Sequence, residues 1–323
     1  MPRSTYLMCL LGLLPCLTLV ALYYFNPPTQ DPPAQEWRPL PYTKRECPPS
    51  PPGDPDTVIY IPSPIAWRER RTRVLRKMRR ELGNSTHVYI VFGTRSGSRL
   101  EREASDLNLA RQEAEREADP RIRYLFTECR DTGDEYNNAN GTSSTTCKTY
   151  QAIRHIAKAY TASPPRFVWR GADDAYLNLN VFREHVAPKL QTCRLFFGAL
   201  NFPSPHDRQD LVLDTTQPNL YALFGLKKFG KYMYGMGFLM SWDVVQLIGL
   251  AQIPPRLVAP EDVVVSQWLL FHDVDWTDIM DVAPETAMEN VDHPEWRKQY
   301  THLLVAHKIS PAQWDALETG ELL

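Results

Sequence analysis

From His87 onward, short apolar runs alternate with longer segments whose apolar positions recur every three to four residues. HVYIVFG (87–93) reads as a buried strand, and the charged stretch from Arg99 to Glu117 as a helix. RIRYLF (121–126) follows as a strand. TTCKTYQAIRHIAKAY (145–160) then reads as a helix with Cys147, Tyr150, Ile153, Ala157 and Tyr160 along one side. RFVW (166–169) and RLFFGAL (194–200) supply two more strand signals. Such alternation predicts an α/β domain built on a mostly parallel sheet flanked by helices.

The start of the chain follows a different pattern. Tyr6 to Phe25 contains no charged residue, and at about 1.5 Å per residue it is long enough to cross a hydrocarbon core of about 30 Å. Arg3 precedes it, while the residues after it stay uncharged until Asp31, so the positive-inside bias leaves residues 1–5 in the cytoplasm and the rest luminal. A cleaved signal would end in small residues, whereas this run ends in Leu22-Tyr23-Tyr24-Phe25. The expectation is one uncleaved transmembrane helix, 6–25, acting as a signal anchor.

Between Asn26 and Pro64 there are 13 prolines, which remove backbone donors and favour extended polyproline II. Residues 26–65 are therefore expected to form a stem, with the folded domain spanning 66–323. That domain would open with WRERRTRVLRKMRREL (67–82), an amphipathic helix carrying eight basic residues. A charge run of this kind reads first as a solvated face, and second as a surface for anions or phospholipid headgroups.

At 323 residues and 43% apolar composition the chain can bury one large core. A formal net charge of −2 gives no global argument for nucleic acid. Cys47, Cys129, Cys147 and Cys193 lie beyond the apolar run, an even number suited to an oxidising compartment, and they allow three pairings. None has zinc-type spacing. Asn84-Ser85-Thr86 and Asn140-Gly141-Thr142 are glycosylation sequons.

The chemistry begins where RFVW runs into Arg170-Gly171-Ala172-Asp173-Asp174. Ligands of open α/β sheets gather at the carboxyl ends of strands. Two adjacent carboxylates there repel one another unless a cation is shared, and hard oxygen ligands select magnesium, manganese or calcium. The alternative is an acidic turn, in which aspartates hydrogen-bond locally.

RGADDAYLN (170–178) resembles the basic-x-Asp-Asp-Asp-x-aromatic-aliphatic-Asn signature of the inverting β-1,3-glycosyltransferases, glycosyltransferase family 31, which includes β-1,3-galactosyltransferases, β-1,3-N-acetylglucosaminyltransferases and Fringe. KYMYGMGFLMSWDVV (231–245) is similar to that family's Tyr- and Gly-rich segment at Tyr234, Gly235, Gly237 and Ser241. APEDVVVSQWL (259–269) is similar to its Pro-Glu-Asp-Val block, and LLVAHKISP (303–311) to its terminal His-basic-x-Ser-Pro segment. The blocks occur in family order. The resemblance implies a GT-A-type nucleotide-sugar fold, a UDP-sugar donor, a glycan acceptor and a Mn²⁺ (or Mg²⁺) cofactor. By position it implies Asp174 and His307 as metal ligands, with Asp173, Gly235, Gly237 and Glu261 around the donor. Asp262 would be the general base that takes the acceptor hydroxyl's proton. A Golgi membrane location with a luminal catalytic domain would follow.

The residues also allow plainer roles. Glu261 and Asp262 suit a helix N-terminus, His307 a structural hydrogen bond, and the glycines close strand contact. Trp169 and Trp242 fit either core or pocket wall. The chain departs from the family pattern at Ala172, where an aspartate is usual, at Ser266, where a glycine is usual, and in the expanded segment 134–150, where Lys148 matches a familiar basic residue. A catalytically inactive, glycan-binding or chaperone-like relative is the competing expectation, and a metal-dependent hydrolase a third. The donated sugar, the acceptor and the oligomeric state are not written in these motifs.

Overall fold

A computed structural model describes residue 47 and residues 56–95, 100–131, 143–201, 231–251, 261–270, 272–290, 302–310 and 313–314. The expected membrane span, most of the stem and the Asn140 sequon lie outside the described residues. Among the described residues no helix is long and apolar enough to cross a membrane.

Among the described residues ten strands form two sheets. In chain order they are β1 (Thr57–Pro62), β2 (Thr86–Arg95), β3 (Ile122–Arg130), β4 (Phe167–Gly171), β5 (Ala175–Leu177), β6 (Leu195–Asn201), β7 (Tyr232–Ser241), β8 (Asp275–Asp278), β9 (Thr286–Asn290) and β10 (His302–His307). The larger sheet has the order β3-β2-β1-β4-β7-β6-β8, and β5-β10-β9 make the smaller. In the large sheet only β7 runs against its neighbours. The mixed α/β, mostly parallel architecture expected from the alternating pattern is what the chain adopts.

Among the described residues the large sheet is covered by α1 (Arg68–Glu81), α2 (Leu100–Arg116), α3 (Ser144–Ala159), α4 (Trp242–Gly249) and α5 (Glu261–Leu269). Ile59 and Ile61 of β1 face a core with Val74, Leu75 and Met78 of α1. Val58 and Tyr60, pointing the other way, pack with Ile153 and Ile156 of α3 and Val245 of α4. Burial on both faces is why these strands appear as unbroken apolar runs rather than alternating ones. Each large aliphatic so buried contributes about 1.5–3 kcal/mol.

The expected stem of 26–65 is shortened by this arrangement. TVIYIP (57–62) lies mid-sheet between β2 and β4, buried along its whole length. Pro62 occupies the strand's last position, so it costs no ladder bond inside the strand. A dense proline pattern concealed a six-residue strand. The folded unit reaches still further back, because Cys47 is joined to Cys193, and the second pair is Cys129–Cys147.

The chain lays β1, β2 and β3 outward in one direction, then returns to place β4 on the other side of β1. That reversal makes the carboxyl ends of β1 and β4 a topological switch point, where open α/β sheets form a crevice. Both aspartates of the candidate motif follow β4.

Candidate active site

The two aspartates part company immediately. Asp173 turns inward and is 5% exposed. Its Oδ2 accepts a 2.7 Å hydrogen bond from the Ser63 hydroxyl, directly after β1. The Ser63 hydroxyl also accepts from Arg71, and its carbonyl accepts from Lys148 Nζ at 3.2 Å. Lys148 is paired with Asp131 at 2.9 Å, and Asp131 receives the backbone N–H groups of Ile65 and Gly93. A buried polar hub therefore ties together the ends of β1, β2, β3 and β4. Burial pushes the Asp173 carboxyl up to about 6, with the neighbouring Asp174 charge adding to the effect against the Ser63 hydrogen bond. Burial also pulls the Lys148 ammonium below its ordinary value, against the opposing pull of Asp131 and Asp173.

Asp174 points toward His307, and the small sheet explains why. β5 pairs antiparallel with β10, with Ala175 opposite His307. The residue before β5 and the last residue of β10 are thereby brought side by side, and His307 Nε2 lies 3.4 Å from Asp174 Oδ1. Burial opposes ionisation of Asp174, but the hydrogen bond and charge of His307, helped by Arg170 and Arg70, hold its carboxyl below the usual range. Lys308 then adopts a left-handed backbone, φ 54°, which turns the chain sharply out of β10.

Asp174 and Lys308 open onto a cavity of about 420 Å³ whose other walls include Arg70 and Arg73 of α1, Ser310 and Trp314. The Arg70 guanidinium stacks on Trp67, 4.4 Å from the ring centroid, and Arg73 is paired with Glu69. The basic run of α1 is thus divided by function. Arg71 is buried among the carbonyls of Pro64 and Ile65, while Arg70 and Arg73 face the cavity.

The remaining expected residues assemble on the other side of β4. Arg170 donates from Nε and Nη2 to the two carboxylate oxygens of Glu261, at 3.1 and 2.5 Å, and from Nη1 to the Gly235 carbonyl. Thr149 donates a further hydrogen bond to Glu261. Glu261 is buried and engaged within the protein, so it fastens the start of α5 to β4 and β7. Asp262, next in the chain, lies over Gly235, where an added Cβ would come within 3.1 Å of its Oδ2. Gly237 permits a different approach, with the Trp169 ring 3.2 Å from where a Cβ would stand. Trp169 is core, 1% exposed.

The structure therefore brings Asp174 together with His307, and Asp262 with Gly235. Arg170, whose charge acts on Asp174 while its guanidinium holds Glu261, links the two groups. Asp173 and Glu261 serve the frame beneath. Among the described residues no set of three His, Cys, Asp or Glu side chains converges on a metal position. The Asp174 carboxylate is a hard oxygen ligand of the kind magnesium or manganese takes, with phosphate oxygens and water completing the shell, whereas the His307 imidazole is more usual on softer ions. Ser63, Asp131, Arg70, Arg73 and Lys308 were not singled out by sequence. Only the basic run of α1 hinted at an anion.

No family model matches the chain, and no curated protein matches it. Solved structures with similar folds do exist. The galactosyltransferase LgtC, in complex with donor and acceptor sugar analogues, is 11% identical over 82% of this chain and 94% of that one, with a TM-score of 0.39. A glycosyltransferase involved in glycosylation of the major capsid of PBCV-1 gives 10%, 82%, 100% and 0.36 in the same order. The glycosyltransferase GlyE of Streptococcus pneumoniae gives 12%, 79%, 54% and 0.35. At such low identity and TM-score these likenesses leave the chemistry to be argued from the site itself.

Proposed function

We propose that the protein is a metal-dependent inverting glycosyltransferase that moves galactose or an N-acetylhexosamine from a UDP-sugar to a glycan hydroxyl in β-1,3 linkage. The observation that carries this reading is Asp174, 3.4 Å from His307, on the wall of a cavity that also presents Arg70, Arg73 and Lys308. Acidic and basic groups share one opening. That combination suits a nucleoside diphosphate, whose oxygens need cations both from the protein and from a bound ion.

Asp174 and His307 would hold Mn²⁺ or Mg²⁺, which when bound supplies Lewis-acid stabilisation of the departing diphosphate. Arg70, Arg73 and Lys308 bind and orient the same anionic group. Asp173, hydrogen-bonded to Ser63, fixes the turn that presents Asp174. Asp262 accepts the acceptor hydroxyl's proton; its Oδ1 accepts from the Val263 N–H, and its Oδ2 lies beside Gly235, where a side chain would crowd it. Localisation follows the sequence argument: a Golgi type II protein anchored by residues 6–25, its folded domain in the lumen.

The test is a panel of UDP-sugars offered to the purified protein with and without Mn²⁺, with released UDP as the readout. Turnover of one or two sugars only with the ion present, lost in Asp174→Asn of unchanged melting temperature, supports the proposal. Normal turnover by that variant removes the metal role. One observation favours a second reading: Ala172, in place of an aspartate, is buried and packs into the core. Release of no UDP from any donor, with the protein folded, decides for a non-catalytic glycan-binding or chaperone-like relative.

A further inference from the structure

A second cavity, of about 440 Å³, lies on the other flank of the large sheet, between β3 and α3. Leu125, Phe126, Thr127 and Glu128 form one wall, and Gln151, Arg154, His155 and Lys158 the other. Nothing in the proposed transfer reaction uses it. β3 ends the sheet, paired only with β2 among the described residues.

The hydrogen-bond pattern shows what that edge offers. The Val88 N–H donates to the Arg121 carbonyl, with Val88 opposite Ile122 in register. In a parallel ladder the backbone groups of successive residues point to opposite sides. Residues 121, 123 and 125 therefore turn their backbone toward β2, and Tyr124 and Phe126 turn theirs outward. Among the described residues no strand pairs with that outward row, and such an edge is a template for another strand.

The helix wall sets the chemistry of that strand. Arg154 and Lys158 are exposed and have no ion pair among the described residues. Glu128, the one acidic group on the opposite wall, is already paired with Arg95 at 2.9 Å. The groove is left positive, with Leu125 half-buried in its strand wall. Because β3, α3 and β4 form a crossover between parallel strands, α3 runs antiparallel to β3. Arg154 and Lys158, four residues apart on a helix, are separated by about 6 Å along that direction. Alternate residues of an extended strand advance by about 6.6 Å. An added strand with acids at alternate positions would set one against each cation.

The geometry points to a strand-addition site on the open edge of β3, taking an extended acidic polypeptide segment of a partner protein. The backbone of the partner pairs with Tyr124 and Phe126, and its alternate carboxylates meet Arg154 and Lys158. A flexible acidic glycan satisfies the cations but not the backbone row.

The test uses the full-length chain in detergent micelles and a fluorescein-labelled peptide alternating valine and glutamate, followed by anisotropy. Saturable binding is expected, weakened about tenfold in Arg154→Glu/Lys158→Glu, as two lost surface ion pairs imply. Amide exchange should slow at Tyr124 and Phe126, and N-methylation of alternate peptide residues should abolish binding. The milder Arg154→Gln/Lys158→Gln pair, read the same way, covers the case in which charge reversal unfolds the protein. No binding, equal binding of a valine–lysine peptide, or indifference to both double variants overturns the site. So does undiminished binding of the N-methylated peptide with displacement by a polyglucuronate oligosaccharide, which makes the groove a glycan site instead.

Discussion

Gly235 and Gly237 stand two residues apart and meet different demands. A methyl group at Gly235 would come within 3.1 Å of Asp262 Oδ2 and 3.6 Å of its Cβ. Gly235→Ala is therefore expected to displace the proposed base and lower kcat about tenfold, with the donor KM and melting temperature little changed. A methyl at Gly237 meets the Trp169 ring and the Arg170 carbonyl, at 3.2 and 3.3 Å, within the core. Gly237→Ala should cost about 1–3 kcal/mol of stability, seen as a lower denaturation midpoint. At this scale the sequence was readable where residues fell into ordered blocks. Asp174 and His307, far apart in the chain, are legible together from the ordered blocks, and the β5–β10 pairing is what joins them. Ser63 and Lys308 were not named, since a lone polar residue past a strand end has no periodicity to mark it.

Elements are joined by buried charge pairs as well as by apolar packing. Arg170 on β4 grips Glu261 at the head of α5 and the Gly235 carbonyl on β7, all in a buried setting. Arg170→Met would strand Glu261 without its partner. The expected cost is about 3–5 kcal/mol in chemical denaturation, most of it recovered in Arg170→Met/Glu261→Met, where no lone charge remains. α1 shows a second kind of charge use. Reversing its cavity-facing pair, Arg70→Glu/Arg73→Glu, should raise the donor KM about tenfold, and less so as salt is added. Sequence pattern placed this helix well, over 67–82 against the observed Arg68–Glu81. It took the basic residues for a solvated face, because periodicity separates apolar from polar positions and cannot tell that Arg71 is 1% exposed beneath its neighbours.

Across the whole molecule, the site exists because β1 and β4 meet at the reversal of strand order, with Ser63 on one and Asp173 beyond the other. β1 was the largest omission from the sequence pattern, its six residues lost among prolines that suggested a stem. The fold class survived that omission, since the other strands alternate with helices regardless. The Cys47–Cys193 bond links positions 146 residues apart and fastens the N-terminal approach to the start of β6. Removing it by Cys47→Ser/Cys193→Ser should lower stability by about 2–4 kcal/mol, measured as a fall in melting temperature, and leave kcat unaltered at temperatures where the protein stays folded.

The central claim is that Asp174 and His307 create a metal-assisted seat for a nucleoside diphosphate. Calorimetric titration of UDP into the full-length protein, with and without MnCl₂, addresses it most directly. Wild-type protein is predicted to bind UDP only when Mn²⁺ is present, and Asp174→Asn, equally folded, to lose that binding. UDP binding that is indifferent to the ion, or that persists unchanged in Asp174→Asn, would contradict the account.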